Sequence, residues 1–319
     1  MRTAFINELI NLARENERIF LLVADLGFSV VEPFAEEFPT RYLNVGIAEQ
    51  NMAGIAAGLA MEDYCVFIYS IGNFPTLRCI EQIRNDITYH DLDVKIVAVG
   101  GGYSYAALGP SHHTTEELGM MRTIPGLIVC APGDPDETRM LIRHLVTHRG
   151  PAYIRLGKAG EPKVHERLGS EVRIERIGQI LPVIQASDSS SIAVFSTGSM
   201  LDYCASYLPA HGIMASLYSF PFVKPINREQ LLDLFQTYDL IITIEEHQRS
   251  AGFGSAVIEM LHDFMTERAL SKVPTIRRIA IDDLFISCAG TQSYLREQAG
   301  LCLKPEYFQS NEIHRNQHP

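Results

Sequence analysis

Two consecutive α/β domains, each built on a parallel sheet covered by helices, are what this 319-residue sequence predicts. Three observations lead there. At about 100–200 residues per domain, the length suggests two units, each able to bury its own core. Short β-branched runs alternate with longer helical patterns, as in a parallel sheet with helices on both faces. The alternation stops at the turn-rich GKAGEP (157–162) and restarts after a second soft point, ASDSSS (186–191). The expected division is a first domain over 1–160, an extended connection over 161–190 and a second domain over 191–319.

The elements follow in chain order. MRTAFINELINLARENERI reads as an amphipathic helix with internal charges and not as a secretory signal. IFLLVAD (19–25) is apolar throughout and ends at an acid before Gly27, as a buried parallel strand would. RYLNVG (41–46) is a second strand. AEQNMAGIAAGLAM (48–61) carries alanine and glycine at three- and four-residue spacing, which fits a helix closely approached by another backbone. CVFIYS (65–70) is a strand and LRCIEQIRNDITY (77–89) a helix with one apolar face. VKIVAVGGG (94–102) is a strand running into glycine, followed by a helix at 116–124, a strand at 127–132, a helix at 134–148 and a strand at 151–156. After a charged extended stretch, the second set comprises strands at 191–198, 213–220, 240–247 and 275–281, and helices at 199–211, 228–237 and 252–266. PFVKPIN (221–227) is bracketed by prolines and reads as a loop, and the tail beyond Phe308 reads as frayed.

Composition removes several function classes. The 38 acidic and 27 basic side chains leave a net charge of −11, which argues against a phosphate-backbone binder. No apolar run reaches the ~18 residues of a membrane span. Cys65, Cys79, Cys130, Cys204, Cys288 and Cys302 are scattered without a CxxC pair, so they read as reduced thiols of a cytoplasmic protein and not as a disulfide scaffold or metal site.

In open parallel sheets, ligands sit beyond the carboxyl ends of the strands. Four segments converge there: ADLGFS, NVGIAEQ, GGGYSYAALGPSHH and IRLGK. NVGIAEQNMAGIAAGLA places Glu49 in the first turn of a glycine-alanine helix. Alone, that acid is accounted for by the helix dipole. The whole string, however, closely resembles the corresponding segment of thiamine-diphosphate enzymes of the transketolase and deoxyxylulose-phosphate synthase group. The resemblance implies that Glu49 hydrogen-bonds N1′ of the cofactor's aminopyrimidine. Protonation there lets the 4′-nitrogen remove the proton from the thiazolium carbon, and a carboxylate in a largely dry pocket can share that proton.

The resemblance extends over nearly the whole chain. IYSIGNFPTLRCIEQIRND is similar to the family's segment that supplies an aromatic wall and a dimer-interface helix, which implies Phe74 as the wall and Tyr69 as a second candidate. Read without the family, Phe74 is a core aromatic. Asp25 and Leu26 fall where the family lines its cofactor channel. GPSHH (109–113) matches a motif whose first histidine binds sugar hydroxyls and shuttles protons; that role passes to His112, with His113 beside it as a further substrate contact. Arg2, Ser29 and Arg155 fall on positions that contact the substrate's phosphate, a task suited to the donor fork of arginine. The second domain, through TGS (197–199), FPFVKPIN (220–227) and TIEEHQRSAGFGSAV (243–257), resembles the transketolase C-terminal domain. Its adjacent glutamates point to opposite faces of a strand, which favours structural roles over a metal site.

Two departures stand out. Transketolases carry Gly-Glu-Asp-Gly before the histidine motif, whereas this chain has Ala107-Leu108-Gly109. A phosphate-binding histidine of the family falls at Gly100, so the GGGYSYAAL loop is expected to be roomier at its start and more apolar at its end. A site without those polar readers suits an unusual sugar. The chain also contains no Gly-Asp-Gly, the family's anchor for Mg²⁺ and the diphosphate, and no substitute phosphate loop. The expectation is therefore the C-terminal subunit of a split transketolase-like enzyme. A partner polypeptide would bring Mg²⁺, held by oxygens, and the assembly would be a two-fold-symmetric α₂β₂ tetramer. The rivals are a decarboxylating enzyme resembling deoxyxylulose-phosphate synthase or an E1 β subunit, and a non-catalytic interaction subunit that keeps the fold.

Overall fold

The computed structural model describes residues 1–187 and 190–309. Helix α1 (Arg2–Glu15) precedes strand β1 (Ile19–Val23), followed by α2 (Glu32–Glu37), β2 (Tyr42–Asn44), α3 (Glu49–Met61) and β3 (Cys65–Ile71). Short helices α4 (Phe74–Leu77) and α5 (Ile80–Gln82) lead to β4 (Val94–Val99), α6 (Glu117–Thr123), β5 (Ile128–Cys130), α7 (Pro135–Thr147) and β6 (Ala152–Leu156). Then come α8 (Val164–Leu168), β7 (Leu181–Ile184), β8 (Ile192–Ser196), α9 (Met200–Ala210), β9 (Ser216–Ser219) and β10 (Phe222–Lys224). The chain continues through α10 (Arg228–Thr237), β11 (Leu240–Gln248), α11 (Phe253–Thr266), β12 (Thr275–Ile281) and α12 (Gln292–Gln298).

Two sheets result, as the strand–helix alternation predicts. The first has the order β10-β5-β6-β4-β3-β1-β2 and is parallel except for β10; the second has the order β12-β11-β8-β9-β7 and is parallel except for β7. Alternation along β3 sends Cys65, Phe67 and Tyr69 to the face covered by α1 and α7, while Val66 and Ile68 join α3 on the other face. The apolar cluster on the α3 face runs on through Leu118 and Tyr153 to Phe220, just after β9, and Phe253 of α11 in the second unit, so this cluster joins the two units.

Four stretches differ from the sequence expectation. The helix expected over 77–89 begins at Phe74, breaks near Arg78 and closes Ile83–Thr88 with wider, π-type turns. Apolar spacing shows which side of a helix is buried, but not which carbonyl closes each turn. The supposed connection 161–190 holds α8 and the edge strand β7, so the second sheet reaches back before residue 191. The proline-bracketed loop at 221–227 contains β10, an antiparallel edge strand that pairs Phe222 with Cys130 of the first sheet. Edge strands tolerate proline on their unpaired side, so proline is a poor guide there. Helix α12 was not anticipated from the sequence pattern. Residues 310–319, nearly all of the tail expected to fray beyond Phe308, lie outside the described residues.

Candidate active site

The site is assembled at the carboxyl ends of β1, β2 and β3. Where β2 ends, Asn44 Oδ1 accepts hydrogen bonds from the Asp25 N–H (2.9 Å) and the Gly46 N–H (3.0 Å), and Asn44 Nδ2 donates to Asp25 Oδ1 (3.2 Å). This staple fixes the turn into α3, whose first residue is Glu49. An acid in that turn complements the helix dipole. Glu49 is buried, and both of its carboxylate oxygens accept from Arg78 Nη1 at 3.0 Å. Gln50 Nε2 donates to the Arg78 carbonyl (2.9 Å), holding the backbone from which that arginine reaches.

The second wall comes from the turn after β3. Gly72 is required there: a Cβ would stand 1.9 Å from Thr114 Oγ1. Phe74 then opens α4, and the Arg78 guanidinium lies 4.3 Å over its ring. The His112 ring meets Phe74 edge-on at 5.6 Å and 70°. Asn73 ties this turn to the histidine loop, its Nδ2 donating to the carbonyls of His113 (2.7 Å) and Ser111 (3.4 Å). The structure thus brings Glu49, Arg78, Phe74 and His112 into one continuous contact. A planar, N–H-donating cation already fits between the buried carboxylate and the aromatic face, which is the chemistry a protonated aminopyrimidine would need.

Sequence reasoning missed Arg78 and Asn73. A signal for the first was present: Arg78 stands four residues after Phe74, the spacing at which side chains of one helix face meet. It also missed Asn44, whose side chain bridges two strand ends that are distant in sequence.

Three expected site residues are placed elsewhere. Tyr69 is buried on the α1 face of the sheet, stacked on Phe5 (5.8 Å, 9°), so it offers no open ring beside Phe74. Strand alternation explains this, because β3 side chains of odd number face α1. His113 turns inward, its ring perpendicular to Tyr103 (5.1 Å, 89°), and burial pushes its pKa down. Arg155 is buried between the two units. It pairs with Glu117 Oε1 (3.0 Å) and donates through Nη2 to the carbonyls of Thr114 and Glu246, the latter at 2.9 Å. Its guanidinium is an inter-domain clamp and not an exposed phosphate contact. Burial raises the Glu117 carboxyl above the usual range, and Arg155 opposes that rise.

Of the other expected residues, Asp25 is exposed at the end of β1 and Leu26 is half-buried beside it. Ser29 is exposed, and its N–H donates to Glu32 Oε1 (2.7 Å). Arg2 stands near Tyr105, and its Nε is a buried donor without an acceptor. The glycine run after β4 is not roomy. A Cβ at Gly100 would meet the Tyr105 ring at 2.2 Å, one at Gly101 the Arg155 Nε at 2.3 Å, and one at Gly102 the Glu246 carboxylate at 2.5 Å. Each missing side chain admits another residue against the backbone.

The Glu-Glu-His run alternates as expected of a strand. Glu245 accepts from the backbone at the start of α11 (Gly254 N–H, 2.7 Å), and burial pushes its pKa up to about 7. Glu246 pairs with Arg296 (2.9 Å). His247 accepts from the Gly119 N–H through Nε2 (3.1 Å) and donates from Nδ1 to the Gln248 carbonyl (2.8 Å), with burial pushing its pKa down to about 4. All three are structural, and no group of three or more potential metal ligands occurs among the described residues. No described helix is long and apolar enough to cross a membrane.

Comparison with known proteins bears on the fold and the family. The models "Transketolase, pyrimidine binding domain" and "Transketolase, C-terminal domain" match residues 1–161 and 183–289. The chain is 34% identical over 263 residues to a subunit of the apulose-4-phosphate transketolase of Phocaeicola vulgatus, covering 82% of this chain and 83% of that one. It is 31% identical over 317 residues to a subunit of the 6-deoxy-6-sulfo-D-fructose transketolase of a Clostridium species, covering 98% and 94%. A solved split-gene transketolase, described as an inactive β4 tetramer, superposes with a TM-score of 0.79 at 33% identity over 94% of this chain and 93% of that one.

Proposed function

Because the chain belongs to the transketolase family, spanning its pyrimidine-binding and C-terminal domains, we propose that it is the C-terminal subunit of a split, thiamine-diphosphate-dependent transferase. The reaction moves a two-carbon ketol unit from a ketose to an aldehyde. One observation carries the reading: a buried carboxylate, Glu49, faces an aromatic ring, Phe74, with a planar cation already held between them.

When bound, thiamine diphosphate supplies the nucleophilic carbon for this chemistry. The chain's own residues do the rest. Glu49 would accept a hydrogen bond from the cofactor's pyrimidine, its buried carboxylate being placed to hold a proton there. Phe74 provides the stacking face, with Asp25 and Leu26 at the neighbouring strand end. His112, edge-on to Phe74, binds substrate hydroxyls and moves the proton at the reacting oxygen. The relatives' names specify an apulose 4-phosphate and a sulfonated deoxyfructose. On that basis the substrate here is an uncommon ketose bearing an anionic group, with Arg2 and Ser29 as the residues proposed to meet it.

The diphosphate and Mg²⁺ are assigned to a partner subunit carrying Gly-Asp-Gly, a reading supported by the relatives that are named as transketolase subunits. An α₂β₂ tetramer is the arrangement this favours. The rim of the site supports a partner: Phe28 is 71% and Ile47 78% exposed, and on α3 nothing lies within 4 Å of where side chains at Gly54 and Gly58 would start. The domain division proposed with this reading is a first domain over 1–160 and a second domain whose sheet already includes β7 (Leu181–Ile184) ahead of residue 191, and the six unpaired cysteines fit a cytoplasmic location.

The test is Glu49→Gln in the reconstituted complex. Turnover falls by at least ~100-fold if the carboxylate handles this proton; survival within a few-fold contradicts the role. Release of CO₂ from pyruvate by the wild-type complex would instead favour the decarboxylating alternative.

A further inference from the structure

We propose that Arg78 is a gate residue that occupies the pyrimidine position in the free subunit and must swing out when the cofactor binds. The inference rests on the cofactor reading of Glu49 and deepens it. The Arg78 guanidinium makes both contacts expected of the aminopyrimidine. It stacks on Phe74 at 4.3 Å and donates to both oxygens of the buried Glu49 carboxylate at 3.0 Å. Arg78 covers the Phe74 ring and engages both Glu49 oxygens, so a pyrimidine that takes that same ring face and carboxylate exchanges places with it.

The arginine side chain is built for such an exchange. It is 48% exposed whereas Glu49 is 4% exposed, so the cation can leave into solvent while the carboxylate stays in place. Its anchor is the backbone: the Arg78 carbonyl accepts from Gln50 Nε2 (2.9 Å), so the side chain can swing while its Cα stays fixed. The residue lies where the helix after Phe74 is interrupted, between α4 and α5. In the free subunit the gate serves a purpose, because a buried carboxylate without a partner is strongly unfavourable. Arg78 keeps Glu49 paired, aimed and shielded from adventitious cations until the cofactor arrives with the partner subunit.

The exchange predicts that removing the gate strengthens cofactor binding. A half-exposed ion pair and a cation–π contact are each modest, together worth roughly a three- to thirty-fold factor in an equilibrium constant. The experiment is calorimetric titration of thiamine diphosphate with Mg²⁺ into the complex of this chain with its Gly-Asp-Gly partner, using wild type, Arg78→Met and Arg78→Lys. Expected are a dissociation constant lower by about three- to thirty-fold for Arg78→Met and a smaller gain for Arg78→Lys, which keeps the charge but loses the stacking plane. Nitrogen-15 spectra of the arginine side chains give a second readout. The Arg78 Nη signals are ordered in the free subunit and become averaged on cofactor binding. Unchanged or weaker binding by Arg78→Met, or an Arg78 signal that stays ordered in the loaded complex, overturns the gate while leaving the Glu49 role intact. Failure of the wild-type complex to bind thiamine diphosphate removes both.

Discussion

Arg155→Met separates the structural account from the sequence expectation most sharply. As an exposed phosphate contact, Arg155 would matter only to substrate. In the structure it lies between the two units, paired with the fully buried Glu117 and bonded to the carbonyls of Thr114 and Glu246. Removing one partner of a buried ion pair costs about 3–5 kcal/mol, because the other charge is left uncompensated. Burial already raises the Glu117 carboxyl against the pull of Arg155, so the variant drives Glu117 further toward protonation. At roughly 2–4 °C per kcal/mol for domains of this size, the first thermal transition should fall by on the order of 10 °C. Differential scanning calorimetry of the chain measures this directly. Arg155→Met combined with Glu117→Gln should recover at least half of the loss, since the buried charge is then gone. A melting temperature within about 2 °C of wild type, with only substrate affinity lost, would refute the clamp.

Other substitutions follow the same logic. Asn73→Ala removes the donor that ties the histidine loop to the turn holding Phe74; stability should fall by about 1 kcal/mol in urea unfolding, and kcat should fall with little change in KM. Gly72→Ala places a Cβ 1.9 Å from Thr114 Oγ1, so the soluble yield and melting temperature should drop and Thr114→Gly should partly restore both. His247 has a folded pKa near 4, below its unfolded value of about 6.5, so its contribution to stability is complete above pH 6.5 and is lost as the pH falls towards 4. Relative to His247→Gln, the wild-type chain should lose up to about 3 kcal/mol over that window in acid unfolding series.

Much of the fold was legible because most strands of the two sheets carry their own apolar run, and helices such as α1 and α7 keep a clean apolar spacing. What escaped was set by partners distant in sequence. β10 is a strand only because β5 offers it an edge, and β7 only because β9 does. The site divides in the same way. Glu49, Phe74 and His112 sit in local strings that carry the family resemblance, and it is the resemblance that implies their chemistry. Tyr69 and His113 were misplaced because a string does not show which side of the sheet or loop is open. Arg155 belongs to a strand end, as expected, but the second unit covers it. The space at Gly100 could not be judged without knowing where the Tyr105 ring lies.

The central claim is that this chain completes a ketol-transfer site only together with a partner. Its most direct test is a coupled assay of ketose cleavage in the presence of an aldehyde acceptor, thiamine diphosphate and Mg²⁺. The substrate set should include anionic ketoses of the kinds named for its relatives, and the chain should be assayed alone, its Gly-Asp-Gly partner alone, and the two mixed. The expected result is two-carbon transfer by the mixture, none by either chain alone, and its loss with Glu49→Gln. Transfer by this chain alone, or a mixture whose activity is indifferent to Glu49→Gln, would contradict it.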